Sequence, residues 1–277
     1  MKKIISALLA FSMVFGLTSC AEDESVKTTD GEKTQVTDNA AENTESTQGA
    51  VTFAPEGEYM KNDSAISEDF LNFNAPEEGE EIIVMSIKGF GDVKIQLFPE
   101  VVPLAVENFV THAKDGYYDG LTFHRVIGEF MIQGGDPLGT GTGGESIWGE
   151  KFDSGMTSKL HHFTGALAYA NSGSTYTSGS QFYICVNKAI TEDEMKEYYN
   201  GGYTFDEATQ KKYVEVGGQP FLDKGIFAGP GTGYTVFGQV FEGQDVIEAV
   251  SKVETDGGDK PVQGVIIESV KVEQYHK

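Results

Sequence analysis

The stretch FHRVIGEFMIQGGD, residues 123–136, decides the fold of this chain. It is typical of two short strands that join at a turn at Gly128 and end at a pair of glycines. Side chains alternate between the two faces of a strand, so Arg125, Met131 and Gln133 share one face if the turn keeps the register. That face has a permanent cation, an apolar surface and an amide, but no nucleophile and no acid–base pair. Such a set is suited to binding a peptide bond rather than to cleaving it.

The flanking sequence predicts further short strands and two helices. Alternating apolar residues over 82–97, around a glycine turn, predict a β-hairpin with one buried face. Pro103 and Gly116 delimit a helix whose apolar residues recur at i, i+3, i+4 and i+7. A second helix is expected over 243–253 and a last strand over 265–272. Short strands with glycine turns and helices far apart in sequence predict a closed antiparallel barrel.

Several blocks of this sequence resemble, in the same order, the cyclophilin family of peptidyl-prolyl cis-trans isomerases. The blocks are VENF (106–109), FHRVI and FMIQGGD (within 123–136), GALAYAN (165–171) and GSQFYI (179–184). The resemblance covers roughly residues 80–272. It implies a mainly β fold, a closed eight-stranded antiparallel barrel capped by two helices. Residues 188–218 depart from the family pattern, and a capping box at Thr191 with a later helical stretch predicts a helical insertion there.

The resemblance also implies a peptidyl-prolyl isomerase whose substrates are proline-containing polypeptides and whose catalytic residue is Arg125. A guanidinium stays charged and has a rigid fork of N–H groups, so it can donate to the amide nitrogen when the peptide bond is twisted. An apolar pocket would bind the proline ring, and amide side chains would bind the substrate backbone. The substrate-binding residues implied in this way are Phe130, Met131, Gln133, Ala170, Asn171, Gln181, Tyr183, Phe221, Leu222 and Tyr234.

Three of these positions differ from the common family pattern. Tyr183 stands where the family usually has phenylalanine, and its hydroxyl costs free energy in an apolar pocket unless it finds a partner. Phe221 stands where eukaryotic members have a tryptophan, and Tyr234 stands where many members have a histidine. Because the implied mechanism uses no titrating base, we expect the change at Tyr234 to be tolerated.

The sequence indicates neither a cofactor nor a metal. Residues 139–144, GTGTGG, match the pattern of a dinucleotide-binding loop, but a helix must follow such a loop, and here Glu145 would repel phosphate. His161 and His162 have no third ligand at a metal-site spacing, and neighbours on a strand point to opposite sides. We therefore expect no metal site.

The N-terminus is typical of a lipoprotein signal peptide, residues 1–19, with a basic start and a short apolar segment. Its end, LTSC (17–20), resembles a bacterial lipobox, which implies acylation of Cys20; an ordinary secretory signal is the alternative. Residues 20–79 form an acidic tether, expected to be mostly disordered, although the sequence leaves open whether 51–73 dock on the folded domain. That domain, 80–277, would then be extracytoplasmic and anchored to the cell membrane. Cys185 lies in an apolar run and is expected to be buried and unreactive.

The composition excludes some partners and leaves alternatives. A formal net charge of −23 argues against nucleic acid as a partner. We expect a monomer that assists the folding of exported proteins. Two alternatives are a binding module, in which the groove survives without turnover, and a surface adhesin that acts through the acidic tether.

Overall fold

The computed structural model of this protein describes residues 70–228 and 231–277, all within the unit Ala50–Lys277. The predictions for the signal peptide, for Cys20 and for most of the tether fall outside the described residues. The helices are α1 (Pro103–Lys114), α2 (Glu192–Asn200), α3 (Glu207–Val216), α4 (Lys224–Ala228) and α5 (Gln244–Val250), with 3₁₀ turns at Leu71–Phe73, Thr175–Thr177 and Pro220–Asp223.

One antiparallel sheet forms the body of the described fold. Its strands are β1 (Glu81–Ile87), β2 (Gly91–Leu97), β3 (Thr122–Phe123), β4 (Arg125–Ile127), β5 (Met131–Gly134), β6 (Ala166–Tyr169), β7 (Phe182–Cys185), β8 (Val236–Glu242) and β9 (Val265–Gln274). Their order is β3-β9-β1-β2-β8-β6-β7-β5-β4. The predicted mainly β, barrel-like architecture is confirmed.

The sheet has nine strands among the described residues, one more than predicted, because a strand is interrupted at His124. Before that residue β3 pairs with β9, and after it β4 pairs with β5. The backbone N–H of His124 still donates to Gln133, at 3.0 Å. The two ends of the sheet are therefore consecutive in the chain, and the sheet nearly closes into a barrel.

The core follows the apolar alternation of the sequence. Ile83, Met85 and Ile87 of β1 are buried, as are Ile95 and Val93 of β2, which pair with Ile83 and Met85. Helix α1 begins at Pro103, where a missing N–H costs little, and Gly116 follows it in the left-handed conformation (φ 68°). Burial of these apolar faces removes them from water and stabilises the barrel.

The predicted insertion is helical and has a small core of its own. Helix α2 has a complete capping box between Thr191 and Glu194. The later helical stretch is α3, which begins at Glu207 because the side chain of Asp206 accepts a hydrogen bond from the N–H of Thr209 and caps the helix. The buried side chains between the insertion and the barrel are Phe163, Ile190, Met195, Phe205 and Tyr213.

Residues just before the predicted domain also contact it. Asn72 is buried, and its side chain donates to the carbonyl of His161 (3.1 Å) and accepts from the His161 N–H (3.0 Å). The ring of Phe70 packs edge-on against Phe163, with centroids 5.4 Å apart. The last residues of the segment that the sequence left open are thus docked on the barrel.

Gly135, at the end of β5, allows a close approach of two strands and gives a test of the packing. It has φ 82°, and an added Cβ would lie 2.9 Å from the Phe182 ring and against the carbonyl oxygen of Ser180. Gly149 has the same conformation (φ 80°) with no atom within 4 Å. We expect Gly149→Ala to cost about 1–2 kcal/mol from the left-handed backbone alone, and Gly135→Ala to cost about 2 kcal/mol more from overpacking. Urea unfolding of both variants measures the difference; equal losses would contradict this packing.

Candidate active site

The hairpin β4–β5 aligns the residues that the sequence placed on one face. Arg125 lies directly opposite Gln133, and Ile127 lies opposite Met131. The turn is where it was predicted, but its left-handed residue is Glu129 (φ 57°) rather than Gly128. The glycine is instead close to another segment, since a Cβ there would lie 3.5 Å from the carbonyl oxygen of Ser251. The register was predicted correctly, and the shared face follows from it.

Arg125 is half exposed and oriented by a single carboxylate. Its Nε donates to Asp259 at 3.4 Å, the one side-chain hydrogen bond of this arginine within the described residues. Asp259 has a left-handed backbone (φ 63°), and its carbonyl accepts the N–H of Val126 at 2.8 Å. Arg125 is also the only arginine among the 20 lysine and arginine residues of the chain. This uniqueness is a signal in the sequence that singles out the guanidinium.

Two glutamines extend the polar side of the site. The Gln133 amide donates to Gln181 at 2.9 Å, and the Gln181 amide donates to the carbonyl of Gly143 at 2.8 Å. Tyr183 of β7 pairs with Gln133, whereas the ring of Phe182 packs edge-on against Phe109 and Tyr118. The amide pair is fixed by these bonds, and the side-chain oxygen of Gln133 accepts no hydrogen bond within the described residues.

The resemblance assigns the proline ring to Phe130, Met131, Tyr183 and Leu222, a set called the apolar pocket below. Met131 and Leu222 are buried in the main core, and Phe130 packs against it. The ring of Phe130 lies 5.5 Å from that of Phe221, which is 37% exposed and borders the site.

Two more predicted residues adjoin this surface. Tyr234 packs edge-on against Tyr183, with centroids 6.0 Å apart. The Asn171 side chain donates to Gly233 and accepts from the N–H of Gly173, so both its polar groups are used within its own loops. An amide has two N–H donors and two lone pairs on its oxygen, so the predicted contact of the Asn171 side chain with a substrate backbone stays a prediction.

The hydroxyl of Tyr183 has a buried partner. It lies 2.9 Å from Nε2 of His162, whose Nδ1 lies 2.6 Å from Oδ1 of Asp223. Because a carboxylate can only accept, Nδ1 of His162 donates to Asp223, and in that tautomer Nε2 accepts from the hydroxyl of Tyr183. The cost expected for a hydroxyl at this position is thus offset by a hydrogen bond.

Asp223 is the centre of this buried network. Besides His162 it accepts from Nδ1 of His161 (2.7 Å) and from the hydroxyl of Tyr213 (2.6 Å). The expectation that the two histidines point to opposite sides is wrong, because they lie on an irregular segment rather than a strand and bind the two oxygens of one carboxylate. Burial opposes ionisation of Asp223, but the two imidazoles outweigh it and lower the pKa of the carboxyl.

The glycine loop binds a carboxylate of its own chain. Asp136 accepts the N–H groups of Leu138 (2.8 Å), Thr140 (2.9 Å) and Gly141 (2.6 Å). Burial would raise the pKa of Asp136, but these backbone donors lower it. Residues 145–150 form turns rather than a helix, so the loop lacks the feature that a dinucleotide site requires.

Strand pairing, a hydrogen bond and ring contacts connect several of the predicted site residues with one another. Sequence reasoning gave no role to His162, Asp223 and Asp259. Asp223 ends the run PFLD, residues 220–223, but nothing in the spacing brings it to residues 161–162. Cys185 is buried, as predicted, and burial raises the pKa of its thiol. The described residues contain no group of three or more His, Cys, Asp or Glu that could bind a metal. Over the same part of the chain, no helix is long and apolar enough to cross a membrane.

Comparison with known proteins identifies the family. The sequence model described as cyclophilin type peptidyl-prolyl cis-trans isomerase/CLD matches residues 82–272. A "putative peptidyl-prolyl cis-trans isomerase" of Staphylococcus haemolyticus is 43% identical over 205 residues, 74% of this chain and 98% of the relative. Its counterpart in Staphylococcus epidermidis is 42% identical over 206 residues, 74% of this chain and 99% of the relative.

Solved structures agree with this result. The crystal structure of a cyclophilin type peptidyl-prolyl cis-trans isomerase from Cryptosporidium parvum matches with a TM-score of 0.54 at 29% identity, covering 71% of this chain and 99% of that one. The structure of that protein in the presence of the dipeptide Ala-Pro matches with a TM-score of 0.53 at 28% identity, covering 70% and 99%.

Proposed function

Because this chain belongs to the cyclophilin-type peptidyl-prolyl cis-trans isomerase family, we propose that it isomerises Xaa-Pro bonds by twisted-amide stabilisation from Arg125. The observation that supports this proposal is the register of β4 and β5, which pairs Arg125 with Gln133 and Ile127 with Met131. The Ala-Pro dipeptide named with the Cryptosporidium structure supports a proline-containing substrate.

The chemistry requires no bond to be made or broken. Rotation about an Xaa-Pro bond loses amide resonance, which gives a barrier of about 18–20 kcal/mol. In the twisted state the nitrogen becomes pyramidal, and its lone pair becomes a hydrogen-bond acceptor. Because Asp259 engages Nε, the terminal N–H groups of Arg125 remain for that acceptor. A donor that meets the nitrogen only in the twisted state lowers the barrier selectively.

The rest of the site fixes one end of the peptide bond. The proline ring binds to the apolar pocket, formed by Phe130, Met131, Tyr183 and Leu222. The substrate backbone binds to the side-chain oxygen of Gln133 and to residues 170–171. An anchored ring lets the acyl side rotate against a fixed nitrogen. Phe221, Gln181 and Tyr234 line the rim.

This mechanism predicts a flat pH profile. Arg125 stays charged at all pH values used for proteins, and no group in the site must gain or lose a proton. We expect kcat/KM for an Ala-Pro peptide to change less than about twofold from about pH 6 to about pH 9. Direct spectroscopic detection of isomerisation, without a coupled protease, measures it. A bell-shaped profile with a midpoint near that of histidine would contradict the mechanism.

We further propose that the enzyme acts on exported polypeptides at the membrane surface, anchored through acylated Cys20. The support is the basic start, apolar segment and LTSC sequence of residues 1–20. A stable anchor requires more than one acyl chain. The tether of about 60 residues would then separate barrel and membrane by about 40–45 Å.

Cys20→Ser tests the anchor. We expect the wild-type protein in the membrane fraction and the variant in the soluble fraction, because serine cannot be acylated through a thioether. Specific isomerase activity should be equal in the two, since Cys20 is remote in sequence from the site. A wild-type protein that fractionates as soluble would contradict the anchor and leave the isomerase unaffected.

A further inference from the structure

We propose that the helical insertion, residues 188–218, positions the apolar pocket, and that Tyr213 is the positioning residue through which it acts. The inference rests on the proposed role of that pocket in binding proline. It gives a role to a segment that departs from the family pattern. Within the described residues, no hydrogen bond joins this segment to Arg125, Gln133 or Gln181.

The first observation is a continuous buried hydrogen-bond chain. The Tyr213 hydroxyl donates to Oδ2 of Asp223 at 2.6 Å, and Oδ1 of Asp223 accepts from Nδ1 of His162, also at 2.6 Å. Nε2 of His162 accepts from the hydroxyl of Tyr183 at 2.9 Å. All four side chains are buried, so water does not compete for these bonds. These hydrogen bonds link Tyr213 of helix α3 to Tyr183 of the apolar pocket.

The second observation is that the insertion binds both neighbours of Leu222. Tyr213 bonds to Asp223 on one side, and the Tyr203 hydroxyl donates to the carbonyl of Phe221 at 3.3 Å on the other. Leu222 lies between them in the 3₁₀ turn Pro220–Asp223. The insertion therefore fixes the backbone that presents one apolar side chain to the pocket, as well as the ring of Tyr183.

The insertion is itself well anchored for this role. The Tyr213 ring packs on Phe163 of the barrel with centroids 4.5 Å apart, and on Phe205 at 5.6 Å. Its hydroxyl position is thus set by packing that does not involve the pocket. A side chain that is already rigid loses little entropy when it orients another group.

The kinetic consequence separates positioning from catalysis. The apolar pocket contacts the proline ring in the planar and in the twisted state alike, so its shape contributes equally to substrate and transition-state binding. Disturbing it should raise KM and leave kcat nearly unchanged, which is the opposite of the effect expected for Arg125.

The test compares Tyr213→Phe with Tyr199→Phe in the full-length protein. Tyr199 lies in the same insertion and is 55% exposed, and its side chain makes no hydrogen bond in the described residues. For Tyr213→Phe we expect KM for an Ala-Pro peptide to rise about three- to tenfold, the effect of one lost hydrogen bond of ordinary strength, with kcat within about twofold. Tyr199→Phe should match the wild type. Measurements are made at a temperature where circular dichroism shows all proteins folded.

A second variant tests whether the chain acts as a unit. Tyr183→Phe removes the hydroxyl at the other end. If the four residues are coupled, the double variant should have about the same KM as the single variant with the higher KM. If the effects of Tyr213→Phe and Tyr183→Phe on KM multiply in the double variant, the proposal is overturned. It is also overturned if Tyr213→Phe has an unchanged KM and a lowered melting temperature. If Tyr213→Phe does not fold, Tyr183→Phe and Tyr203→Phe must each raise KM, or the proposal is wrong.

The Kd of the same peptide keeps this inference separate from the proposed function. A wild-type protein that binds the peptide without accelerating isomerisation would refute the isomerase mechanism, yet Kd should still rise in Tyr213→Phe. Normal turnover with an unchanged Kd in that variant would refute the positioning role alone.

Discussion

Replacing Arg125 with alanine should lower kcat/KM for an Ala-Pro peptide by about 100-fold or more, nearly all of it in kcat. The guanidinium meets the amide nitrogen as an acceptor only when the bond is twisted, so its loss affects the transition state and not the bound substrate. The side chain is 37% exposed and outside the core, so folding should be little affected. A kinetic assay paired with thermal unfolding measures both effects.

Arg125→Lys is the matched control, because it keeps the charge and removes the rigid fork. We expect its kcat to be nearly as low as that of the alanine variant, because an ammonium on a flexible stem does not reproduce two fixed donors. Asp259→Asn should lower kcat less, because it weakens only the bond at Nε. A lysine variant with wild-type kcat would show that charge alone suffices and would contradict the role given to the fork.

Replacing Asp223 with alanine should destabilise the fold by about 3–5 kcal/mol, the range for removing one partner of a buried ionic network. The carboxylate accepts from both imidazoles, from the Tyr213 hydroxyl and from the N–H of His162. All these donors would be left buried without their acceptor. Asp193→Ala is the control: its carboxylate pairs with Lys196 on the surface and should give no measurable change. Urea unfolding at neutral pH gives both values.

The acid dependence of stability should change in the same variant. The pKa of Asp223 is lowered in the folded protein, so the carboxylate contributes its full stability above the unfolded-state pKa of about 4. That contribution is lost as the pH falls below this value toward the folded-state pKa. The difference in unfolding free energy between wild type and Asp223→Ala should therefore shrink from pH 7 to pH 3. A difference that stays constant would show that Asp223 is not ionised in the native protein.

Local patterns predicted the barrel and the alignment of the candidate site. Alternation with period two identified the buried face of β1 and β2 and set Arg125 with Gln133, because both are properties of a strand and its nearest partner. The capping box at Thr191 predicted the start of α2 for the same reason. The predicted count of eight strands was one lower than the nine strands of the described residues. The break at His124 depends on which neighbouring strand each half pairs with, and this is not a local property of the sequence.

The network under the apolar pocket could not be predicted in this way. His161 and Asp223 are 62 residues apart, and Arg125 and Asp259 are 134 apart, so no periodicity connects them. The rule that neighbouring side chains diverge applies to strands, and residues 161–162 are irregular. The insertion looked like an addition to the barrel because its role depends on Tyr213, whose partner is outside the insertion.

The most direct test of the central claim is the rate at which an enzyme-bound Ala-Pro peptide exchanges between cis and trans, measured by NMR exchange at saturating protein. Saturation removes differences in affinity, so the rate reports on the twisted state alone. The twisted-amide account predicts rapid exchange on the wild type and a rate about 100-fold or more lower on Arg125→Ala, with the peptide still bound. Equal exchange rates on the two proteins would contradict it and would assign catalysis to the pocket rather than to the arginine.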